Sequence, residues 1–315
     1  MRVVASDGRR VDPLSVTAQF PAVDAYALGP YDPNPYGGRL PDMPLRQRPP
    51  GRVSHLGGAL AAAIVTAGLI VAANYGATQL LIAVAAAQGL LVLTWVFGTA
   101  VPGRLGAIVV GALAAAGADL IVSRWPHGQL GTLAVILGLA IPAMFIHQLT
   151  RGVVRTRVVE SLSDLALLVV AVVALPAYMQ LGHEMLGTRM VTAVALAAGG
   201  ALVVGHLVDI FWPVPRSDAN VPRGLLAVIV AAGVGTVATY VRLHNTVDFA
   251  SGRSLTLGAS IGAIVSLFAV GAAFIQYGLP QRGRLAAITR PIAGALMSLG
   301  LLAPIGYLLC LLIRG

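Results

Sequence analysis

The most informative pattern in this sequence is a series of apolar stretches that begins near residue 56 and continues almost to residue 315. Each stretch has about 20 residues, and a helix of that length crosses the ~30 Å hydrocarbon core of a bilayer. The predicted spans are residues 56–75, 78–98, 105–124, 131–150, 161–181, 190–212, 223–243, 258–279 and 291–313. The pattern therefore predicts an all-α, polytopic membrane helix bundle with about nine transmembrane helices.

Composition supports this fold class and excludes two others. Only 10% of the residues are charged, whereas soluble domains carry about 25%. A porin-like β-barrel needs short segments of alternating polarity, and the apolar runs here are continuous. Proline and glycine separate the runs, for example at Pro102-Gly103-Arg104 and Pro213-Val214-Pro215.

The first 50 residues form a different region. They are rich in Pro, Gly, Asp and Tyr and show neither helical nor strand periodicity, so we expect a disordered tail. They lack the apolar core of a secretory signal peptide, and the first helix is therefore expected to remain as a permanent span. The basic end of the tail, residues 39–52, suits anionic lipid, and the tail is also a candidate site for a protein partner. Residues 51–315 form the predicted bundle.

The distribution of arginine predicts the orientation of the bundle. All 21 basic residues are Arg. Only five lie on the side opposite the N-terminus: Arg124, Arg189, Arg242, Arg253 and Arg314. The positive-inside rule then places the N-terminus in the cytoplasm. The use of Arg without Lys in an Ala- and Gly-rich chain is typical of GC-rich bacterial genomes, so we expect a bacterial cytoplasmic (inner) membrane. The Arg residues are scattered singly, which argues against nucleic acid as a partner.

Glycine and proline inside the spans bear on helix packing. Gly258 and Gly262 form a small-xxx-small pair, and Gly131 and Gly138 share a helix face two turns apart. Such residues allow helix backbones to approach closely in lipid. Proline at positions 142, 176 and 304 is expected to kink three spans.

Asp119 is the one candidate acid well inside a predicted span. A charge in the hydrocarbon costs roughly 2.5–3.5 kcal/mol even on insertion scales, so this residue needs an explanation. One interpretation is a proton or cation site in a secondary transporter. The other, which its nearness to the interface favours, is an outward-directed pair with Arg124.

A larger group of polar residues is predicted at the cytoplasmic ends of several spans. His206 and Asp209 are three residues apart and therefore share a helix face. The candidate inner-leaflet polar site comprises His147, Arg155, Glu160, Asp164, His206, Asp209, Arg216, Asp218 and Arg223. Carboxylates of this group suit Mg²⁺ and guanidinium groups suit phosphate. The same residues also suit an anionic lipid headgroup, or they only set topology and complement helix ends.

Standard catalytic and metal-binding motifs are missing from the sequence. It contains no Gly-x-x-x-x-Gly-Lys-Ser/Thr loop, no Gly-x-Ser-x-Gly elbow and no His-Glu-x-x-His pair. The single cysteine, Cys310, cannot form an intramolecular disulfide, and no Cys/His cluster has the spacing of a zinc site. The residues themselves therefore predict no cofactor.

Two segments resemble the phosphatidate cytidylyltransferase (CDP-diacylglycerol synthase) family. The stretch from Gly258 to Ala269 is similar to the Gly-rich helix that precedes the family signature, and residues 209–224 are similar to its cytoplasmic nucleotide-side loop. The resemblance implies activation of phosphatidic acid with CTP and Mg²⁺. Acidic residues 160, 164, 209 and 218 would then hold the metal, and arginines 216 and 223 the phosphate. The acidic and Lys-rich signature itself is absent, because residues 254–289 contain no Asp, Glu or Lys.

Three hypotheses follow for the function. The first is a multi-pass protein without conventional catalysis that binds lipid, in particular anionic phospholipid, or partner proteins through its Arg-rich cytoplasmic face. The second is a CTP:phosphatidate cytidylyltransferase-like transferase, and the third is a secondary transporter that uses Asp119. Whether any catalysis exists is left open by the sequence.

Overall fold

A computed structural model describes residues 52–99, 101, 103–126, 130–151, 158–215, 223–246, 249, 251–278 and 283–314. The predicted disordered tail lies outside these ranges, so its disorder and its partner stay predictions. The described residues form ten α-helices: α1 (Arg52–Tyr75), α2 (Ala77–Thr99), α3 (Arg104–Arg124), α4 (Gly131–Thr150), α5 (Val158–Ala174), α6 (Ala177–Gly182), α7 (Gly187–Phe211), α8 (Leu225–Leu243), α9 (Ser251–Gly278) and α10 (Gly283–Arg314).

The predicted all-α fold with nine spans is confirmed. Within the described ranges, nine helical segments are long and apolar enough to cross a membrane. Helices α5 and α6 together make the fifth span, which is interrupted at Pro176 because proline lacks the N–H that a continuous helix needs. Helices α9 and α10 begin earlier than predicted. The apolar pattern marks the part of a helix that suits hydrocarbon, whereas these two helices extend beyond it through polar turns.

Alanine is frequent in the interior, which also contains Leu, Trp95 and Tyr178, and many large apolar residues are exposed on the outside. Ala193, Ala197 and Ala201 of α7 are fully buried, whereas Leu113, Leu139 and Ile229 are 67%, 63% and 70% exposed. A soluble protein rarely exposes contiguous apolar surface on this scale. In lipid the arrangement is favourable, because small side chains let helices pack closely while large ones contact acyl chains.

The helices form two groups joined by α10. One group consists of α1, α7, α8 and α9, in which α7 contacts the other three. The second consists of α2 to α6. Helix α10 packs against members of both groups, and it makes most of the contacts that connect them.

The close approach predicted for Gly258 and Gly262 is confirmed. A Cβ atom at Gly258 would overlap the carbonyl group of Gly235 on α8, and one at Gly262 would overlap the carbonyl group of Ala231. The two helices therefore touch backbone to backbone. The prediction is wrong for Gly131 and Gly138, where an added Cβ would meet nothing within 4 Å.

Candidate functional site

The helix ends define two faces of the bundle. Because the nine spans alternate in direction, α1, α3, α5, α8 and α10 begin at the same face at which α2, α4, α7 and α9 end. We call this the Arg-rich face, after the sequence pattern described above. The six described residues of the predicted polar site, His147, Glu160, Asp164, His206, Asp209 and Arg223, belong to helix ends at this face. The other three, Arg155, Arg216 and Asp218, lie outside the described residues.

Three of the predicted residues come together in one buried cluster. Asp209 lies near the end of α7, and Arg223 stands just before α8. The Oδ1 atom of Asp209 accepts a hydrogen bond of 2.9 Å from the Gly224 N–H, and its Oδ2 atom is 3.9 Å from Nη1 of Arg223. Nη2 of Arg223 lies 2.6 Å from Nε2 and 3.0 Å from Nδ1 of His206. Since a guanidinium group can only donate, the ring nitrogen that receives this bond carries no proton.

A fourth residue, His55 of α1, completes what we call the α7–α8 cluster: His55, His206, Asp209 and Arg223. The rings of His55 and His206 meet edge to face, with centroids 5.8 Å apart. His206 fits because it packs against Gly58, where a Cβ atom would collide with the imidazole. The cluster borders a cavity of about 30 Å³, which Gln276 of α9 and Pro291 of α10 also line. A cavity of this size holds one or two water molecules.

His147, by contrast, lies in a separate pocket between the end of α4 and the start of α3. We call it the α3–α4 pocket. It is open, has a volume of about 590 Å³, and is lined by Val101, Gly103, Arg104, Leu105, Gly106, His147, Thr150 and Arg151. The described residues of this lining supply two guanidinium groups and one imidazole but no carboxylate.

Two glycines shape this pocket. Gly103 caps the start of α3 with φ 75° and ψ 46°, a left-handed conformation that suits glycine. At Gly106 a Cβ atom would overlap the His147 ring, so the absence of a side chain lets the imidazole lie against α3. The start of α3 has no side-chain cap, and its first N–H groups therefore face the pocket as an anion-attracting end.

Hydrogen bonds hold the rim of the pocket. Nη1 of Arg151 donates to Oε1 of Gln148 at 2.7 Å, and Nε2 of Gln148 donates to the Ser161 hydroxyl group at 3.0 Å. This chain ties the last turn of α4 to the first turns of α5. It orients the Arg151 side chain, which reduces the entropy lost when a ligand binds.

The two remaining described residues of the predicted site contribute to neither pocket lining. Glu160 is exposed in the first turn of α5. Asp164 is buried, and its backbone carbonyl group accepts a hydrogen bond of 3.1 Å from the Trp95 indole. The described residues thus separate into two sites and do not form one shared cavity. Sequence reasoning missed His55, Arg104 and Arg151 as site residues, although their positions beside helix ends were a usable signal.

Asp119 faces the interior of the bundle. It is 9% exposed, and its carboxyl group lies near the Gln88 amide on α2. Arg124 is exposed at the end of α3, and the ion pair expected between the two is not formed in the described structure. The ion pair does not form because Asp119 lies on the side of α3 that packs against α2.

No protein-family model, curated protein or solved structure matches this chain. The resemblance to phosphatidate cytidylyltransferases stays a prediction. The fold itself defines the broad class, a multi-pass membrane helix bundle.

Proposed function

We propose that this protein binds the phosphate group of an anionic phospholipid in the α3–α4 pocket. The observation that carries the proposal is the lining of that pocket, in which Arg104, Arg151 and His147 surround the uncapped start of α3. Guanidinium forks and helix N-termini both favour phosphate. The pocket is open to one side, and its volume of about 590 Å³ leaves room for a lipid headgroup.

The position of the pocket fits a lipid better than a soluble anion. It lies where two spans meet the Arg-rich face, and the ends of membrane spans are expected at the depth of the headgroup layer. Leu105 in its lining and Leu149 beside it are 81% and 61% exposed. These side chains suit an acyl chain, while the polar residues suit the headgroup. If the Arg-rich face is cytoplasmic, as the positive-inside rule predicts, the leaflet there is rich in anionic lipid.

The α7–α8 cluster is a poorer candidate for the headgroup. Its cavity is about 30 Å³, too small for a phosphodiester. Its one cationic side chain, Arg223, already contacts Asp209 and His206. This cluster is better explained as a buried polar connection between α1, α7 and α8.

Binding is favoured over group transfer by the chemistry of the lining. Transfer of a nucleotidyl group needs carboxylates to hold Mg²⁺, and the described residues that line the α3–α4 pocket include none. No group of three His, Cys, Asp or Glu side chains suited to a metal occurs among the described residues.

Substitution of the two arginines tests the binding proposal. Arg104→Gln or Arg151→Gln removes a charged hydrogen-bond donor worth about 1.5–3 kcal/mol, so we expect affinity for phosphatidylglycerol to fall about tenfold or more. Binding is measured on purified protein in detergent by native mass spectrometry, with phosphatidylcholine as the zwitterionic comparison and inorganic phosphate as the soluble one.

Arg189→Gln and Arg242→Gln are matched controls, since both arginines are exposed at the opposite face. They should leave affinity for phosphatidylglycerol unchanged. Equal losses in all four variants would show that net charge and not the pocket attracts lipid. Equal binding of phosphatidylcholine would contradict recognition of an anionic headgroup.

The transferase alternative has a direct assay. Purified protein supplied with phosphatidic acid, labelled CTP and Mg²⁺ is expected to form no CDP-lipid, because the pocket lacks carboxylates for the metal. Thin-layer chromatography of the extracted lipid measures the product. Sustained turnover that Asp209→Asn abolishes would replace the binding proposal with the transferase.

A further inference from the structure

Asp119 and Gln88 form a polar pair deep in the α2–α5 group. Gln88 is 1% exposed and lies near the middle of α2. Its Nε2 atom donates a hydrogen bond of 2.9 Å to the Val172 carbonyl group of α5, which fixes the orientation of the amide. Asp119 reaches this amide from α3. Side chains of α2 and α3 and the backbone of α5 thus meet at one point inside the bundle.

Two acceptor atoms at this point have no donor. Asp119 Oδ1 and Gln88 Oε1 are both buried and have no hydrogen-bond partner among the described residues. Leaving such atoms unpaired inside the bundle is unfavourable, and more so for a charged group. The Gln88 amide nitrogen donates to the Val172 carbonyl group. Exchanging the amide oxygen and nitrogen would therefore only leave a different atom without a hydrogen-bond partner.

Among the described residues, the elements packed against this point supply no nearby cation. Helix α2 carries no titratable side chain, and the only one on α4 is His147 at the Arg-rich face. Glu160 and Asp164 lie at that same end of α5, and α6 contributes Tyr178. On α3 itself, Arg104 is at the far end and Arg124 is exposed.

The depth of Asp119 makes an ionised carboxylate costly. It precedes the end of α3 by five residues, which is roughly 8 Å along the helix axis. That places the carboxyl group within the hydrocarbon, where an unpaired charge is expensive. A neutral carboxylic acid avoids this cost and supplies an O–H donor.

We propose that Asp119 and Gln88 form a proton-binding site inside the membrane, with the proton held on the Asp119 carboxyl group. A proton suits the two unpaired oxygen atoms better than Mg²⁺ or Ca²⁺, which take six or more oxygen ligands. The short distance to the end of α3 makes the face opposite the Arg-rich face the nearer side for proton exchange. This site is separate from the α3–α4 pocket and does not depend on the lipid proposal.

Infrared spectroscopy of the protein in liposomes tests the proposal, because a protonated carboxyl group has a C=O stretching band that an ionised carboxylate lacks. We expect wild-type protein at neutral pH to show this band, Asp119→Asn to lose it, and alkaline buffer to remove it in the wild type. Gln88→Leu should shift the band, since it removes the neighbouring amide. Glu184→Gln is the control: Glu184 lies 3.8 Å from Arg314, and its removal should leave the band unchanged.

Wild-type protein that carries heavy-isotope aspartate provides a second measurement that does not depend on the folding of a variant. The band should then move to the frequency of the labelled carbonyl group. Identical neutral-pH spectra for wild type and Asp119→Asn, or no isotope shift, would show that Asp119 is ionised and would overturn the proposal. Loss of the band when sodium chloride replaces choline chloride at constant pH would assign the site to a metal cation and would also overturn it.

Discussion

Gly262→Val is expected to force α8 and α9 apart and to lower the free energy of unfolding by about 3 kcal/mol or more, the upper end of overpacking costs. A Cβ atom at position 262 already overlaps the Ala231 carbonyl group and lies 2.9 Å from the Ala232 Cα atom. These are backbone atoms of α8, so no side-chain rotation relieves the collision. Thermal unfolding in detergent, followed by fluorescence-detected size exclusion, measures the loss.

Gly271→Ala on the same helix is the matched control. An added Cβ at position 271 meets nothing within 4 Å, and alanine is favoured over glycine in a helix by about 1 kcal/mol. This variant should therefore unfold at the same temperature as the wild type or slightly higher. If Gly262→Val behaved like Gly271→Ala, the backbone contact between α8 and α9 would be refuted.

Asp209→Ala is expected to destabilise the protein by about 3–5 kcal/mol, the range measured when one partner of a buried ion pair is removed. The Asp209 side chain is fully buried and that of Arg223 is 4% exposed. The substitution takes a carboxylate away from a guanidinium group that is almost fully buried. It also removes the acceptor of the Gly224 N–H bond that holds the start of α8. Equilibrium unfolding in mixed detergent micelles measures the change.

An ion pair at the opposite face, with a similar distance between nitrogen and oxygen, serves as the control. Glu184 and Arg314 are 3.8 Å apart, but their side chains are 28% and 20% exposed. Glu184→Ala should therefore cost only about 0–1 kcal/mol. The Asp209→Ala/Arg223→Met double variant should lose less stability than the two single changes added together, because the two residues are coupled. A loss equal to the sum would show that the pair is not a unit.

Sequence reasoning predicted the spans well for a physical reason. Hydrocarbon imposes one length and one polarity on a helix, and both are visible in a single sequence. The pattern says less about the helix outside that layer, which is why the starts at Ser251 and Gly283 were missed. It also cannot show which helices are neighbours. Gly262 and Gly138 are equally small residues, yet only Gly262 lies at a helix contact.

The candidate site was predicted only in part because its members come from separate helices. His206 and Asp209 share one helix, so their spacing alone placed them together. Arg223 was grouped with them because it lies in the loop that follows the same helix. The sequence placed His55 beside a helix end, but it did not show that His55 would join His206 and Asp209, or that His147 would pack instead against the start of α3. Those outcomes depend on helix neighbours and on Gly58 and Gly106, which leave space for imidazole rings.

The position of α10 has a consequence for biosynthesis. Among the described helices it is the last to leave the ribosome, yet it makes most of the contacts that join the two groups. Until α10 inserts, each group exposes to lipid or translocon the surface that α10 will cover. Nascent chains stalled before Gly283 should therefore be good substrates for membrane-embedded chaperones and proteases, and completion of α10 should release them.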